Sequence, residues 1–374
     1  MSRLARTLES RRILLCVGSG GVGKTTTAAA LAVEAARRGR RTAVLTVDPA
    51  QRLKDALGLG ALAGEPHRVP LGRGVHLDAL LLDVKRTFDE LVLALASTPE
   101  QAQAVLENRL YQNLSSTLAG TAEYMAVERV YRLAAEGGYD LLVVDTPPAR
   151  HAVDFLDAPR RLLALLDSRA FAILKDPTSI LPAGGSRLAH MVLSAVLRGL
   201  ERFTGIGLVR EVGEFVGAIE ALTGALRERV AAVAALLRSA ETELVLVTAP
   251  EPRLVAETET LARALAGIGL GIGGIIVNRG LPRGLLDADD APPLEGASPA
   301  LAARLRKSHA DLRLLAARQH ATLAPLVARA GAPVVAEVPL LATDPGSLTD
   351  LGEIARHLFP DAVPAAAPAS GLGA

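Results

Sequence analysis

The sequence predicts an α/β protein built on a doubly wound, mostly parallel sheet with an inserted helical subdomain. Three observations lead there. Short continuous apolar runs at Ile13 to Val17, Thr42 to Val47 and Leu141 to Val144 are separated by helical stretches, the arrangement of parallel strands buried on both faces. A glycine loop joins the first run to an Ala/Leu-rich helical segment. Two segments, roughly 85–130 and 160–240, are helical by pattern and longer than a crossover needs, which marks them as the subdomain.

The glycine loop reads GSGGVGKTTT from Gly18 to Thr27, and Gly18, Gly23, Lys24 and Thr25 satisfy G-x-x-x-x-G-K-[ST], the phosphate-binding P-loop. Glycines here let the backbone N–H groups of Gly20, Gly21, Val22 and Gly23 turn inward around phosphate oxygens. Lys24 is placed to reach the β- and γ-phosphates, the Thr25 hydroxyl to sit on Mg²⁺, and Thr26 to bond the α-phosphate. A helix from Thr26 to Arg38 follows on Ala29, Leu31, Ala32, Ala35 and Ala36 and stops at Gly39. The strand Thr42 to Val47 then delivers Asp48-Pro49-Ala50 at its C-terminal end. Open α/β sheets bind ligands at that edge, so Asp48 is expected to face the P-loop.

Gln51 to Leu57 begins another helix, Gly58 to Gly74 reads as a Gly/Pro-punctuated loop, and Val75 to Leu82 as a strand. Asp83 to Tyr131 is helical, with breaks near Ser97-Thr98-Pro99 and Gly120. Leu141-Leu142-Val143-Val144-Asp145 is the Walker B pattern, apolar residues closed by an acid that can hold a Mg²⁺ shell, and Thr146 to His151 is the loop that senses a γ-phosphate. Asp154 to Ser239 is again helical, interrupted at Asp176-Pro177, Leu181 to Gly185 and Gly205 to Gly207. Its stripe of small residues, Gly213, Gly217, Ala221 and Gly224, suits tight helix packing better than a client groove. Strands at Glu243 to Thr248 and Gly274 to Asn278 enclose a helix, Leu254 to Ala266. An acidic, proline-rich loop, Leu285 to Ser298, precedes a charged helix from Pro299 to Ala330 and a last strand from Pro333 to Val338. Pro339-Leu340-Leu341 and a short helix to Phe359 complete a P-loop domain spanning 1–359, and the Ala/Pro/Gly-rich residues 360–374 are expected to be a disordered tail.

Composition narrows the partners. Half of the 374 residues are hydrophobic and only 3% aromatic, so the core is aliphatic. A net charge of +1 argues against nucleic acid, whose binders carry a basic surplus. Lysine occurs only at Lys24, Lys54, Lys85, Lys175 and Lys307, which makes Lys24 conspicuous. Cys16, the one cysteine, falls in the first strand as a core side chain, and the histidines are scattered, so no zinc site is expected. MSRLARTLESRR has no apolar signal region, and no apolar run approaches the roughly 20 residues that cross a bilayer. A cytoplasmic location is expected.

Four motifs carry a family likeness: GGVGKTT at Gly20 to Thr26; Asp48-Pro49-Ala50 with Leu53-Lys54-Asp55-Ala56; Asp145-Thr146-Pro147-Pro148-Ala149-Arg150-His151; and Val277-Asn278 at a late strand end. Together they resemble the ArsA-type ATPases, the family of the arsenite-pump ATPase and the tail-anchored-protein targeting factor, over about Arg11 to Phe359. The resemblance implies an enzyme that binds ATP with Mg²⁺ and hydrolyses it. By that resemblance Lys24, Asp48 and Asp145 are catalytic, with Asp48 orienting or deprotonating the attacking water. Thr25, Asp48 and Asp145 then surround the metal, Asn278 reads adenine, and the backbone of Pro339 and Leu340 covers it. Phosphoryl transfer needs little covalent help, so one acid beside an in-line water with cations on the phosphates suffices.

The chain also departs from the family pattern. Ser19 stands where the family has a lysine that reaches the partner's nucleotide across a dimer, Arg150 stands where a glycine is usual, and the zinc-binding CxxC pair of the targeting factor is missing. Arg150 could then serve in cis for the lost lysine. The leading reading is an ATPase switch that handles a client protein, with a homodimer implied. The alternatives are the soluble ATPase subunit of an anion pump, working with a membrane partner, and a nucleotide-binding module with little turnover.

Overall fold

The computed structural model describes residues 1–48, 52–60, 62, 64–108, 111–112, 121–136, 138–168, 208–282, 284–287 and 298–360. Pro49 to Gln51, Gly120, the interruptions expected between Asp176 and Gly207, the side chain of Ala221, most of the acidic loop and residues 361–374 lie outside them.

In chain order the elements are α1 (Arg3–Ser10), β1 (Ile13–Gly18), α2 (Lys24–Arg37), β2 (Thr42–Thr46), α3 (Arg52–Ala56), β3 (His67–Gly72), β4 (Val75–Leu81), α4 (Val84–Leu95), α5 (Pro99–Leu106), α6 (Thr121–Ala135), β5 (Leu141–Asp145), α7 (Ala149–Leu166), α8 (Leu208–Arg238), β6 (Thr242–Thr248), α9 (Pro252–Gly267), β7 (Gly274–Gly280), α10 (Gly284–Asp287), α11 (Pro299–Ala330), β8 (Val334–Pro339) and α12 (Leu348–Leu358). Eight strands form one sheet in the order β3-β4-β2-β5-β1-β6-β7-β8, with helices on both sides. Every pairing is parallel except β3 with β4. The chain divides into two compact units: Met1–Leu81 with Gly137–Ala152 and Ala240–Ala374, and Leu82–Glu136 with Val153–Ser239.

In the first unit β1 lies between β5 and β6, with Cys16 opposite Asp145 and Gly18 opposite Val247. All six residues of β1 are buried, as the unbroken apolar run requires. The alanine-rich α2 buries Ala28 to Val33, Ala35 and Ala36 in one core with Leu14, Cys16, Val44, Val143 and Val245. Small side chains bring its backbone close over β2, β4 and β5. The expected strand ends coincide with the C-terminal edge of the parallel sheet, where β1, β2, β5, β7 and β8 all finish.

Two features differ from the sequence expectation. β3 occupies part of the segment read as a loop. It is an edge strand, antiparallel to β4, with an exposed face and Pro70 inside it, both of which hide a strand in sequence while being tolerated at an edge. The turn between them uses Arg73 and Gly74 at φ 51° and 77°. The N-terminal stretch, given no structure from its composition, forms α1, capped by Ser2 and buried through Leu4, Ala5 and Leu8. Its hydrophobic face is only three residues wide, too short for a periodic signal.

The second unit packs α4, α5 and α8 around Val92, Ala102, Val105, Tyr111 and Leu222. Two acid–arginine clusters mark its polar interior, while Glu123 Oε2 and Asp157 Oδ1 are buried without a hydrogen bond among the described residues. Glu128, with a fully buried side chain, accepts from Arg229 at 2.9 Å and from Tyr124 at 3.3 Å, while Arg229 also lies over the Tyr131 ring. Glu90 gathers Arg86, Arg129 and Arg132 within 2.8–3.0 Å. Burial raises the Glu128 pKa, opposed chiefly by Arg229.

Gly18 is fixed by the sheet itself. A Cβ there would fall 2.1 Å from the Val247 carbonyl oxygen, which is backbone and cannot swing away. Gly18→Ala is therefore expected to lower stability by about 1–3 kcal/mol in urea denaturation. Gly20→Ala, whose Cβ would meet nothing within 4 Å, should change it by no more than about 0.5 kcal/mol. Equal midpoints for the two variants would show that β1 and β6 can part without cost.

Candidate functional site

The end of β1 turns into a concave loop through two left-handed glycines, Gly21 at φ 80° and Gly23 at φ 86°. Gly23 is also the residue before α2, and the N–H of Thr27 makes the first helical bond, to the Gly23 carbonyl at 2.9 Å. The N–H groups of Lys24, Thr25 and Thr26 therefore have no acceptor within the helix, and they face the loop at the positive end of a 14-residue helix. An anion of phosphate size suits that geometry.

Below this loop sits a buried acid. Asp145, 1% exposed at the end of β5, accepts on Oδ2 from Thr25 Oγ1 at 2.7 Å and from Thr46 Oγ1 at 3.0 Å. Thr46 in turn accepts from the Asp48 N–H at 3.2 Å. One carboxylate thus ties together the first turn of α2 and the ends of β2 and β5. Burial raises the Asp145 pKa; the Thr25 bond, the Lys24 charge and the Thr46 bond oppose it, and Asp48 adds to it.

Lys24 is itself only 7% exposed, and its Nζ donates to the Ser19 carbonyl at 3.3 Å. Burial lowers its pKa, Asp145 and Asp48 raise it, and Arg52 lowers it again. Lys24 therefore feels Asp145, Asp48 and Arg52 together, and Asp145 feels Lys24 and Asp48. The site's donor set, a threonine hydroxyl and carboxylates, is the hard oxygen chemistry that Mg²⁺ takes, and a buried carboxylate with an elevated pKa is what a divalent cation would relieve.

On the other side of the loop, Asn278 at the end of β7 donates from Nδ2 to the Val22 carbonyl at 2.8 Å and accepts on Oδ1 from the Arg279 N–H at 3.0 Å. Residue 23 must be glycine for this as well as for its φ, since a Cβ there would fall 2.2 Å from Asn278 Nδ2. β8 runs beside it, with Asn278 opposite Val338, Gly280 opposite Pro339, and the Leu340 N–H on the Gly280 carbonyl at 3.0 Å. So the segment Pro339-Leu340 stands next to Asn278. Arg150 is exposed in the first turn of α7.

Ser19 does not point outward as a substitute for the family lysine would. Its side chain is fully buried, with Oγ 3.4 Å from Thr258 Oγ1, which lies 3.1 Å from Thr248 Oγ1 and donates to the Leu254 carbonyl at 2.7 Å. Sequence reading had no signal for Thr248 and Thr258, which meet Ser19 only through the fold. Thr46, two residues before Asp48, sat beside a recognised motif, and Thr146, which donates to the Cys16 carbonyl at 2.9 Å, sat inside one, and neither had a role of its own. Arg52, within the span of the Asp48 to Ala56 motif, and Arg279, next to Val277-Asn278, were likewise passed over.

The raised pKa of Asp145 sets a direction for stability. Between the ordinary carboxylate pKa and the raised one the folded chain holds more protons than the unfolded one, so stability falls as pH rises through that window. At a pH above that window the metal-free carboxylate counts against the fold. Asp145→Asn is expected to raise the thermal midpoint of the metal-free protein by about 2–4 °C at pH 7, with the gain shrinking as the pH is lowered. A lower midpoint at every pH would mean that the bonds from Thr25 and Thr46 outweigh the burial of charge.

With this geometry in hand, the likeness to known proteins is specific. The model of the anion-transporting ATPase family, ArsA ATPase, matches residues 11–292. ATPase get3 of Aspergillus terreus is 27% identical over 276 residues, 72% of this chain and 74% of its own. ATPase ARSA1 of Chlamydomonas reinhardtii is 28% identical over 290 residues, 72% of this chain and 34% of its own. An uncharacterised protein of Streptomyces coelicolor is 32% identical over 272 residues, 72% of this chain and 63% of its own. The family match runs from two residues before β1 through the P-loop, both strand-end acids and Asn278, and the chain belongs to the anion-transporting ATPase family.

Proposed function

We propose that this ATPase binds ATP on the P-loop, with Gly20, Gly21, Val22, Gly23, Lys24, Thr25 and Thr26 around the phosphates, and couples its hydrolysis to the handling of a client or partner protein. The observation that carries the reading is the Thr25–Asp145–Thr46 arrangement beside the open amides of α2. Asp48 holds and accepts a proton from the attacking water, and Lys24 offsets charge on the β/γ-phosphates. Thr25, Asp48 and Asp145 would hold Mg²⁺, directly or through water, and the ion would supply further charge neutralisation at the transferred phosphoryl. Arg150 serves in cis where the Ser19 side chain cannot. The resemblance favours a client-handling switch working as a homodimer in the cytoplasm. Among the described residues no helix is long and apolar enough to cross a membrane, so a pump would need a separate membrane subunit.

The test is a steady-state ATPase series on the full chain. Lys24→Ala is expected to abolish turnover. Asp48→Asn is expected to bind ATP normally and to lose about 10²–10⁴ in rate, the range of a lost general base. Arg150→Ala should lower kcat with little change in ATP affinity. An unchanged rate for Lys24→Ala would remove the site from the P-loop, and loss of binding in Asp48→Asn would make that acid structural.

After its bonds to Val22 and Arg279, the Asn278 amide keeps one N–H and one lone pair, enough to meet the N7 acceptor and the N6 amine of adenine. Guanine presents O6 where the amine would be. In calorimetric titration ATP should bind more tightly than GTP by about 1–3 kcal/mol. Equal affinities would remove Asn278 from base recognition.

A further inference from the structure

Arg279 follows Asn278 and, exposed and next to the P-loop, is held in the left-handed region at φ 59°. That conformation disfavours any residue with a Cβ, and persists where something else compensates. Here its guanidinium Nη1 donates to the Gly21 carbonyl at 3.0 Å, while Asn278 Nδ2 holds the next carbonyl along, that of Val22, at 2.8 Å. Two consecutive side chains of β7 thus grip two consecutive carbonyls of the phosphate loop. The backbone N–H of Arg279 closes the arrangement on Asn278 Oδ1 at 3.0 Å.

Peptide planarity gives the grip its consequence. The Gly21 carbonyl shares a rigid plane with the Val22 N–H, and the Val22 carbonyl shares one with the Gly23 N–H, each N–H pointing opposite to its carbonyl. Pinning the two oxygens on the outside of the loop therefore aims those two N–H groups at its inside before any phosphate arrives. Donors already aimed need no reordering on binding.

We propose that Arg279 is a positioning residue that pre-organises the P-loop through the Gly21 carbonyl, and so governs how tightly and for how long the nucleotide is held. This rests on the P-loop reading above. The guanidinium holds the loop from the carbonyl side, so its contribution goes to the bound nucleotide and to the transition state alike, and it appears in KM and in the release rate and not in kcat.

The experiment measures release of a fluorescent ADP analogue by stopped flow, with Mg²⁺ present, together with KM and kcat for ATP, on the full chain. The variants are Arg279→Ala, Arg279→Lys, Arg279→Gly and, as the site control, Lys24→Ala. Expected is a roughly tenfold faster release and higher KM for Arg279→Ala, with kcat within about twofold, the scale of one lost hydrogen bond to a backbone carbonyl. Arg279→Lys should recover most of the retention, because an ammonium can still donate to Gly21. Arg279→Gly separates the bond from the backbone: it relaxes the left-handed residue and should raise the unfolding midpoint, yet release nucleotide as fast as the alanine variant. Normal release from Arg279→Ala, or parent-like retention in Arg279→Gly, would overturn the proposal. If Lys24→Ala retained nucleotide as the parent does, the P-loop reading itself would fall, whereas loss in Lys24→Ala beside normal Arg279→Ala would leave that reading standing and reject only the clamp.

Discussion

A buried carboxylate is the constraint from which most of this site follows. Asp145 ends the strand beside β1 with almost no solvent, so each lone pair it carries has to be met from within. Thr25 and Thr46 meet those of Oδ2, and in doing so they set the first turn of α2 and the end of β2 at fixed distances from β5. The site in its metal-free form is thereby held in shape by the group that also strains it electrostatically. Stability and the proposed chemistry meet at one side chain.

The strand order explains why residues so far apart in sequence converge. β1 is central, the chain first builds outward through β2 and its neighbours, returns with β5 to the slot beside β1, and only then adds β6, β7 and β8 on the other side. A change of direction of this kind leaves a crevice at the C-terminal ends of the strands. Asp48, Asp145, Asn278 and Pro339 all lie at such ends. In the helical unit the buried Glu128 and the Glu90 cluster are each matched by arginines, whereas Glu123 Oε2 and Asp157 Oδ1 are buried without a hydrogen bond among the described residues.

How much of this could be read from the sequence depended on whether the signal was local. The continuous runs of β1, β2 and β5 and the alanine pattern of α2 are written in consecutive residues, and fold class followed from them. The strand-end acids were visible because a charge after four or five buried apolar residues stands out. β3 was hidden by its exposed face and its proline, and α1 by its brevity. Contacts between distant segments left no trace: nothing at Ser19 announces Thr258, and nothing at Gly21 announces Arg279. Arg52 illustrates the middle case, a residue inside a recognised motif whose effect on Lys24 depends on how the chain turns after β2.

The inward rotamer of Ser19 has an evolutionary consequence. Its hydroxyl belongs to a short file of threonines running from β6 to α9, where Thr258 already spends its proton on the Leu254 carbonyl. A lysine introduced at position 19 could not inherit that direction, for its ammonium would enter a pocket furnished with uncharged hydroxyls. It would have to swing outward, leaving Thr258 without its neighbour. Positions 19, 248 and 258 thus form a linked set, and lineages that exchange serine for lysine at the first should be read together with what they carry at the other two, since the three letters change meaning as a word and not one at a time.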